Sequence, residues 1–152
     1  MLEEELLAVW LRLTSVIDNQ RLAAIHASEG QEPLPFNEAV VCGLLAKAQE
    51  AGACLTASDL CRQTCILKSQ MNAILRSLER KGFVSRCKSR QDRRRIELRL
   101  LPEGEALYRQ SHCRGIALVS ELTGRLGKED ARALLTLLRR TVDIFEDQQQ
   151  EV

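Results

Sequence analysis

Two short runs of alternating polar and apolar residues constrain the fold of this chain most strongly. They span Phe83–Lys88 and Arg95–Leu100, and the polar segment Ser89–Arg94 separates them. Alternation with a period of two is the pattern of a half-buried β-strand, so the runs predict an antiparallel hairpin with a charged tip. The residues of the second run expected to face inward are Ile96, Leu98 and Leu100.

Helical periodicity surrounds the predicted hairpin. A short helix over 57–64 and a longer one over 68–81 precede it, with a turn at Cys65 and Ile66 between them. Short helix, turn and longer helix are the order of a helix-turn-helix, and we assign this motif with its hairpin to about residues 55–101. Other helices are predicted over 2–27, 36–51, 102–124 and 128–148, with a loop at Gly30–Pro35. The fold class is therefore mainly α.

Positive charge is concentrated in the same part of the chain. Residues 62–99 hold twelve lysines and arginines against three acidic residues, a net charge of +9. The remainder holds ten basic and eighteen acidic residues, a net charge of −8. A segregation of this size indicates a polyanionic partner. Because the basic segment covers both the helix-turn-helix and the hairpin, the predicted partner is double-stranded DNA.

The second helix of the motif is the predicted reading element, because a helix with a polar outer face fits the major groove. Gln70 and Asn72 can each make bidentate contacts to adenine, and Arg76 can do so to guanine. Lys68 and Ser69, at the helix start, suit phosphates because free backbone N–H groups also point there.

The hairpin tip supplies a second set of candidate DNA contacts. Arg90, Arg93 and Arg94 can reach a neighbouring minor groove or its phosphates. A helical protein-interaction module that binds no DNA is an alternative. Such a module would not need an arginine-rich hairpin, so this hairpin distinguishes the two classes.

Three motifs in this region resemble the MarR (multiple antibiotic resistance regulator) family. They are the run Leu78–Arg86, the triplet Asp92–Arg94 and the run Leu100–Gly104, and their spacing matches the family without gaps. The resemblance implies a winged helix-turn-helix whose wing is a short antiparallel β-hairpin. It also implies a single domain over 1–152, with dimerisation helices at 1–34 and 103–152 flanking a DNA-binding lobe at 35–102.

The resemblance further implies roles for individual residues and partners. Asp92 and Arg94 would form an ion pair that shapes the wing tip, and Arg93 or Arg94 would enter the minor groove. Ser69, Gln70 and Asn72 would face the major groove. The regulator would be a homodimeric repressor that binds an inverted-repeat operator and is released by a small-molecule effector held between the dimerisation helices and the lobe. The chain departs from the family pattern at Thr64, Cys65, Leu67 and Ala73.

The six cysteines raise a second hypothesis. They are Cys42, Cys54, Cys61, Cys65, Cys87 and Cys113. Reduced thiols are expected, most of them buried, because free cysteine is among the most buried residue types. A thiol-based redox regulator remains an alternative, with Cys87 or Cys54 as the sensor. With two histidines in the chain, neither a metal site nor a cofactor is predicted.

Several other classes of protein do not fit the sequence. The first residues carry Glu3, Glu4 and Glu5 instead of the positive charge of a secretory signal, and no apolar run approaches ~18 residues. We therefore expect a cytoplasmic protein without a membrane segment. No Ser/His/Asp grouping, glycine-rich phosphate loop or pair of catalytic carboxylates stands out, so no enzymatic activity is expected.

Overall fold

The computed structural model of the chain describes residues 1–26 and 34–150, with side chains over 1–20 and 34–148. The helices are α1 (Leu2–His26), α2 (Phe36–Glu50), α3 (Ala57–Thr64), α4 (Lys68–Arg80), α5 (Pro102–Leu126) and α6 (Lys128–Gln150). The strands are β1 (Val84–Lys88) and β2 (Ile96–Leu100). This confirms the predicted mainly α fold with one hairpin. Of the loop expected at Gly30–Pro35, the part up to Pro33 lies outside the described residues.

The chain divides into two compact units, Met1–Pro33 and Leu34–Val152. In the first unit, α1 begins with three glutamates, where negative charge suits the positive end of the helix dipole. Over residues 2–20, its large apolar side chains, including Leu6 and Trp10, are exposed. No helix among the described residues combines the length and apolarity that a membrane crossing requires.

The core of the second unit lies where α2, α3, α4 and the hairpin meet. Apolar side chains at helical spacing fill it from the helices, and alternate strand residues close it from the sheet. Its fully buried side chains are Val41, Cys42, Leu45, Leu60, Met71, Leu75 and Leu78. Val84, Leu98 and Leu100 cover this cluster from the hairpin.

The hairpin has a regular antiparallel register, from Val84 opposite Leu100 to Lys88 opposite Ile96. Leu55 adds a single bridge on the free edge of β2, where its carbonyl accepts the Leu98 N–H at 2.8 Å. The prediction that Ile96 faces the core is wrong, since its side chain is 48% exposed. Ile96 lies at the tip end of β2, beyond the helices, so only the root of the hairpin reaches the core.

The turn between α3 and α4 has an unusual backbone. Thr56 caps α3 in a reciprocal capping box with Asp59. Cys65 ends α3 in the left-handed region, at φ 56° and ψ 18°. Leu67 occupies the N-cap position of α4 without a side-chain cap and is 72% exposed. The departures from the family pattern at Cys65 and Leu67 therefore fall at the two ends of this turn.

Glycine is required where α5 passes the start of the hairpin. A Cβ at Gly104 would lie 2.6 Å from the carbonyl oxygen of Phe83. The same carbonyl accepts the Leu101 N–H at 2.8 Å, so the backbone cannot move away without losing that hydrogen bond. This close approach explains the glycine that follows Pro102 and Glu103 at the helix start.

Candidate nucleic-acid interface

The exposed side of α4 forms the first part of the candidate interface. Met71, Leu75 and Leu78 bury the opposite side of this helix. The most outward positions follow the spacing i, i+4, i+7, i+11: Ser69, Ala73, Arg76 and Arg80. Of these, Ala73 and Arg80 were not among the predicted site residues, although the spacing from Ser69 points to both.

The predicted reading residues do not all lie on that outward row. Lys68 and Gln70 are exposed at the helix start beside Ser69. Asn72 is half-buried and lies on the flank of α4, next to the buried Met71. Of the predicted contacts on α4, Ser69 and Arg76 therefore lie on the outward row, while Asn72 does not.

The wing tip forms the second part of the candidate interface. Arg90, Arg93 and Arg94 are all exposed there. The Asp92 carboxylate accepts a hydrogen bond from the Arg94 backbone N–H at 2.9 Å. The ion pair expected between the Asp92 and Arg94 side chains is not among the salt bridges of the described residues. Asp92 therefore shapes the tip through the backbone. The Arg94 guanidinium group is left exposed.

Two other basic residues hold the wing against the helices. Arg86 of β1 contacts Glu79 of α4 at 2.9 Å, and Arg95, just before β2, contacts Asp59 of α3 at 3.2 Å. Each guanidinium group is thereby paired with a carboxylate of a helix, while its side chain stays partly exposed. Within residues 34–148, the basic side chains of the predicted site have no ion-pair partner: Lys68, Arg76, Arg90, Arg93 and Arg94.

Asp59 is the electrostatic centre of the junction between α3 and the wing. Burial opposes ionisation of its carboxyl group, but hydrogen bonds from Thr56 and the charges of Arg95 and Arg62 outweigh this effect. The pKa of Asp59 therefore lies below its usual value. The ionised carboxylate accepts the Thr56 N–H at the start of α3 and holds Arg95 at the same time.

The cysteines differ widely in exposure, and the prediction that most of them are buried is wrong. Only Cys42 is buried; Cys61, Cys65 and Cys87 are intermediate, and Cys54 and Cys113 are exposed. Burial, with the nearby charge of Glu38, raises the pKa of Cys42 to about 12. A hydrogen bond to Glu97 raises the pKa of Cys54, although the residue is exposed. Cys42 belongs to the core and Cys61 packs against it, whereas Cys54 and Cys113 are exposed.

A separate cleft of about 510 Å³ lies between α2 and α5. Its polar centre is a hydrogen bond of 3.2 Å between the Tyr108 hydroxyl and His112 Nδ1. A Cβ at Gly43 would lie 3.1 Å from the Tyr108 ring, so this glycine makes room for the tyrosine. The lining residues are Gly43, Ala46, Lys47, Glu50, Tyr108, Arg109, His112 and Cys113.

Known proteins to which this chain is similar are named as regulators or repressors. The model of the MarR family matches residues 33–95. The HTH-type transcriptional regulator FarR of Neisseria gonorrhoeae is 46% identical over 52 residues, which cover 34% of this chain and 36% of FarR. The homoprotocatechuate degradative operon repressor of Escherichia coli is 28% identical over 94 residues, or 62% of this chain and 64% of the repressor. The matches thus span less than two thirds of either curated relative.

Among solved structures, the similarity extends over most of the chain. The crystal structure of NadR in complex with 4-hydroxyphenylacetate has a TM-score of 0.72 and 28% identity, and the alignment covers 90% of this chain and 92% of NadR. The family model, the curated regulators and this structure agree with one another. Residues 33–95 of the chain match the MarR family, and most of the chain shares the fold of NadR.

Proposed function

We propose that this protein is a transcription regulator that binds double-stranded DNA. The observation that carries the proposal is the pairing of two exposed basic surfaces, the outward side of α4 and the wing tip. Their cations have no acidic partner among the described residues, and they are exposed to solvent. Uncompensated cations at this density favour a polyanion, because phosphate contacts release condensed counterions.

The two surfaces have different tasks in this proposal. Residues of α4 enter the major groove and read base edges, while the wing arginines contact phosphates or the adjacent minor groove. Repression would follow from occupation of promoter DNA, in the cytoplasm. The protein would act by binding instead of catalysis.

We also propose that the protein is a homodimer. Large apolar side chains on α5 and α6 are 39–58% exposed within one chain. Those on α6 are Leu134, Leu135, Leu137, Leu138, Val142, Ile144 and Phe145. An apolar surface of this kind is unusual on a monomer and typical of a subunit interface. Sedimentation at micromolar concentration should give about twice the chain mass, and a monomer there would contradict this part of the proposal.

The cleft between α2 and α5 is the proposed effector site. It presents an aromatic ring, a hydroxyl group and the cationic Lys47 side chain to a small organic molecule, while Arg109 is paired with Glu105 at 2.6 Å and Glu50 also lines the cleft. NadR was crystallised with 4-hydroxyphenylacetate, so that aromatic acid is the first probe to test. Binding that Tyr108→Phe weakens, with loss of affinity for DNA in the presence of the acid, would support this site.

The test of DNA binding begins with selection of bound sequences from a random duplex pool. A recovered inverted repeat would support both the dimer and the operator. Arg94→Ala should then weaken the selected and a scrambled duplex alike and lower the salt slope by about one unit. Asn72→Ala should cost roughly 1–3 kcal/mol on the selected duplex only. The control is Arg125→Ala, an exposed arginine of α5 outside the basic segment.

Each outcome of this titration decides a separate point. If Arg94→Ala leaves both affinities unchanged, the hairpin is not a DNA-binding wing. If Asn72→Ala weakens both duplexes equally, this half-buried residue does not read sequence. If mild peroxide abolishes binding and a reductant restores it, the thiol-based regulator is favoured, and Cys87→Ser and Cys54→Ser would locate the switch.

A further inference from the structure

Gln49, one residue before the end of α2, contacts the end of the wing that lies farthest from its tip. The Leu100 N–H donates to Gln49 Oε1 at 2.6 Å, and Gln49 Nε2 donates to the Leu100 carbonyl at 3.5 Å. The side-chain amide therefore engages both backbone polar groups of the last residue of β2. The two residues are 51 positions apart in the sequence, so this is a tertiary contact.

The contact extends the hydrogen-bonding pattern on the free edge of β2. Two residues earlier, the Leu98 N–H donates to the carbonyl of Leu55 at 2.8 Å. N–H groups two residues apart in a strand point to the same edge, so Gln49 occupies the next position along the edge that Leu55 begins. A side chain from a helix thus takes the place of a strand residue.

The wing depends on such external contacts for its position. A two-stranded hairpin alone is at best marginally stable in water, so contacts with other elements must fix its direction. Arg86 and Arg95 supply ion pairs from α4 and α3, but both are partly or largely exposed and so contribute little. The Gln49 contact is part-buried and directed at the backbone, so it resists displacement of the strand more strongly.

The same helix also holds the end of α4. Glu38, near the start of α2, lies 2.6 Å from Lys81 Nζ, immediately after the last residue of α4. α2 therefore contacts the reading helix through Glu38 and the wing through Gln49. It also forms one wall of the cleft that contains Tyr108.

We propose that Gln49 is a positioning residue that fixes the wing to α2, so that the wing arginines reach DNA in register with α4. The proposal rests on the DNA-binding function proposed above. It predicts that removing the Gln49 contact weakens the contribution of the wing to DNA binding and leaves the contribution of α4 intact. If Gln49 only stabilised the fold, its removal would weaken the contributions of the wing and of α4 alike.

A double-mutant cycle on the selected duplex tests this prediction. In the unaltered protein, Arg94→Ala should weaken binding roughly tenfold, as expected for loss of a hydrogen bond to a charged group. In the Gln49→Met background, which keeps the side-chain length but removes both hydrogen bonds, the same change should weaken binding no more than about twofold. Arg76→Ala on α4 is the matched control, and it should cost the same factor in both backgrounds.

Two further variants separate positioning from folding. Gln49→Glu keeps the acceptor for the Leu100 N–H, so Arg94→Ala should retain most of its effect there. Gln49→Ala, which adds no bulk, should reduce the effect of Arg94→Ala as Gln49→Met does. Its circular-dichroism spectrum should be unchanged, which shows that the fold is intact. If the losses of DNA affinity caused by Arg94→Ala and Gln49→Met simply multiply in the double variant, Gln49 does not position the wing. If the unaltered protein binds no duplex, the proposed function itself fails.

Discussion

The Glu38 carboxylate is paired with Lys81 Nζ at 2.6 Å although only 5% of Glu38 is exposed to solvent. The pair joins the first turn of α2 to the residue that follows α4. A carboxylate buried to this extent requires a cationic or hydrogen-bonding partner, because desolvation of an unpaired charge is costly. Lys81 therefore serves the structure, even though it lies in the basic segment and would be counted with the DNA contacts by charge alone.

Lys81→Met should destabilise the protein by about 1–3 kcal/mol, because it leaves the Glu38 carboxylate buried and unpaired. The lower part of that range allows for the Lys81 side chain, which is 39% exposed. Urea unfolding measures the loss. The double variant Glu38→Gln/Lys81→Met should recover part of it, and a double variant as unstable as Lys81→Met would show that the ion pair is not the cause.

Cys65→Gly should stabilise the protein by roughly 1 kcal/mol. Cys65 has φ 56°, a conformation that strains a residue with a Cβ but that glycine adopts without strain. Cys61→Gly, four residues earlier within α3, is the matched control. That change should destabilise the protein by roughly 1 kcal/mol or more, because glycine is unfavourable inside a helix and the Cys61 side chain packs against the core. The two thermal midpoints should therefore move in opposite directions, and a shift of both in the same direction would count against strain at Cys65.

Asp59 should make stability depend on pH in the acidic range. Its folded-state pKa lies below the unfolded value of about 3.9, so its contribution is fully present above that value. The contribution is lost as pH falls below about 4 toward the folded-state pKa. In urea unfolding from pH 7 to pH 3, Asp59→Asn should be less stable than the unaltered protein at pH 7, and the difference should shrink below pH 4. A difference that stays constant over this range would exclude the ionised carboxylate as its source.

Glu97→Gln should accelerate alkylation of Cys54. The Glu97 carboxylate accepts a hydrogen bond from the thiol and raises its pKa, which lowers the fraction of reactive thiolate. Peptide mapping after a timed pulse of iodoacetamide at pH 8 measures the rate at each cysteine. Cys113 serves as the internal control, and Cys42, buried and with a pKa of about 12, should react only after unfolding. An unchanged rate at Cys54 would mean that Glu97 does not suppress this thiol.

Local sequence patterns were sufficient for the helix-turn-helix and the hairpin. The helix over Ala57–Thr64 was predicted to the residue, and β1 and β2 to within one residue at each end. These elements are defined by short-range effects: a capping box, a period of two in the strands and a glycine after α4 with φ 76°. The charge of the segment and the motif spacing likewise need no tertiary information.

Tertiary structure decided which members of those patterns are available to a partner. The sequence placed Ile96 with the core, whereas the hairpin projects past the helices and leaves it exposed. It grouped twelve basic residues together, whereas Lys81, Arg86 and Arg95 are engaged by carboxylates of other elements. The contact of Gln49 with Leu100 joins residues too far apart for any local pattern to indicate. Periodicity specifies which side of an element is apolar, but only packing determines which element that side meets and which charges remain unpaired.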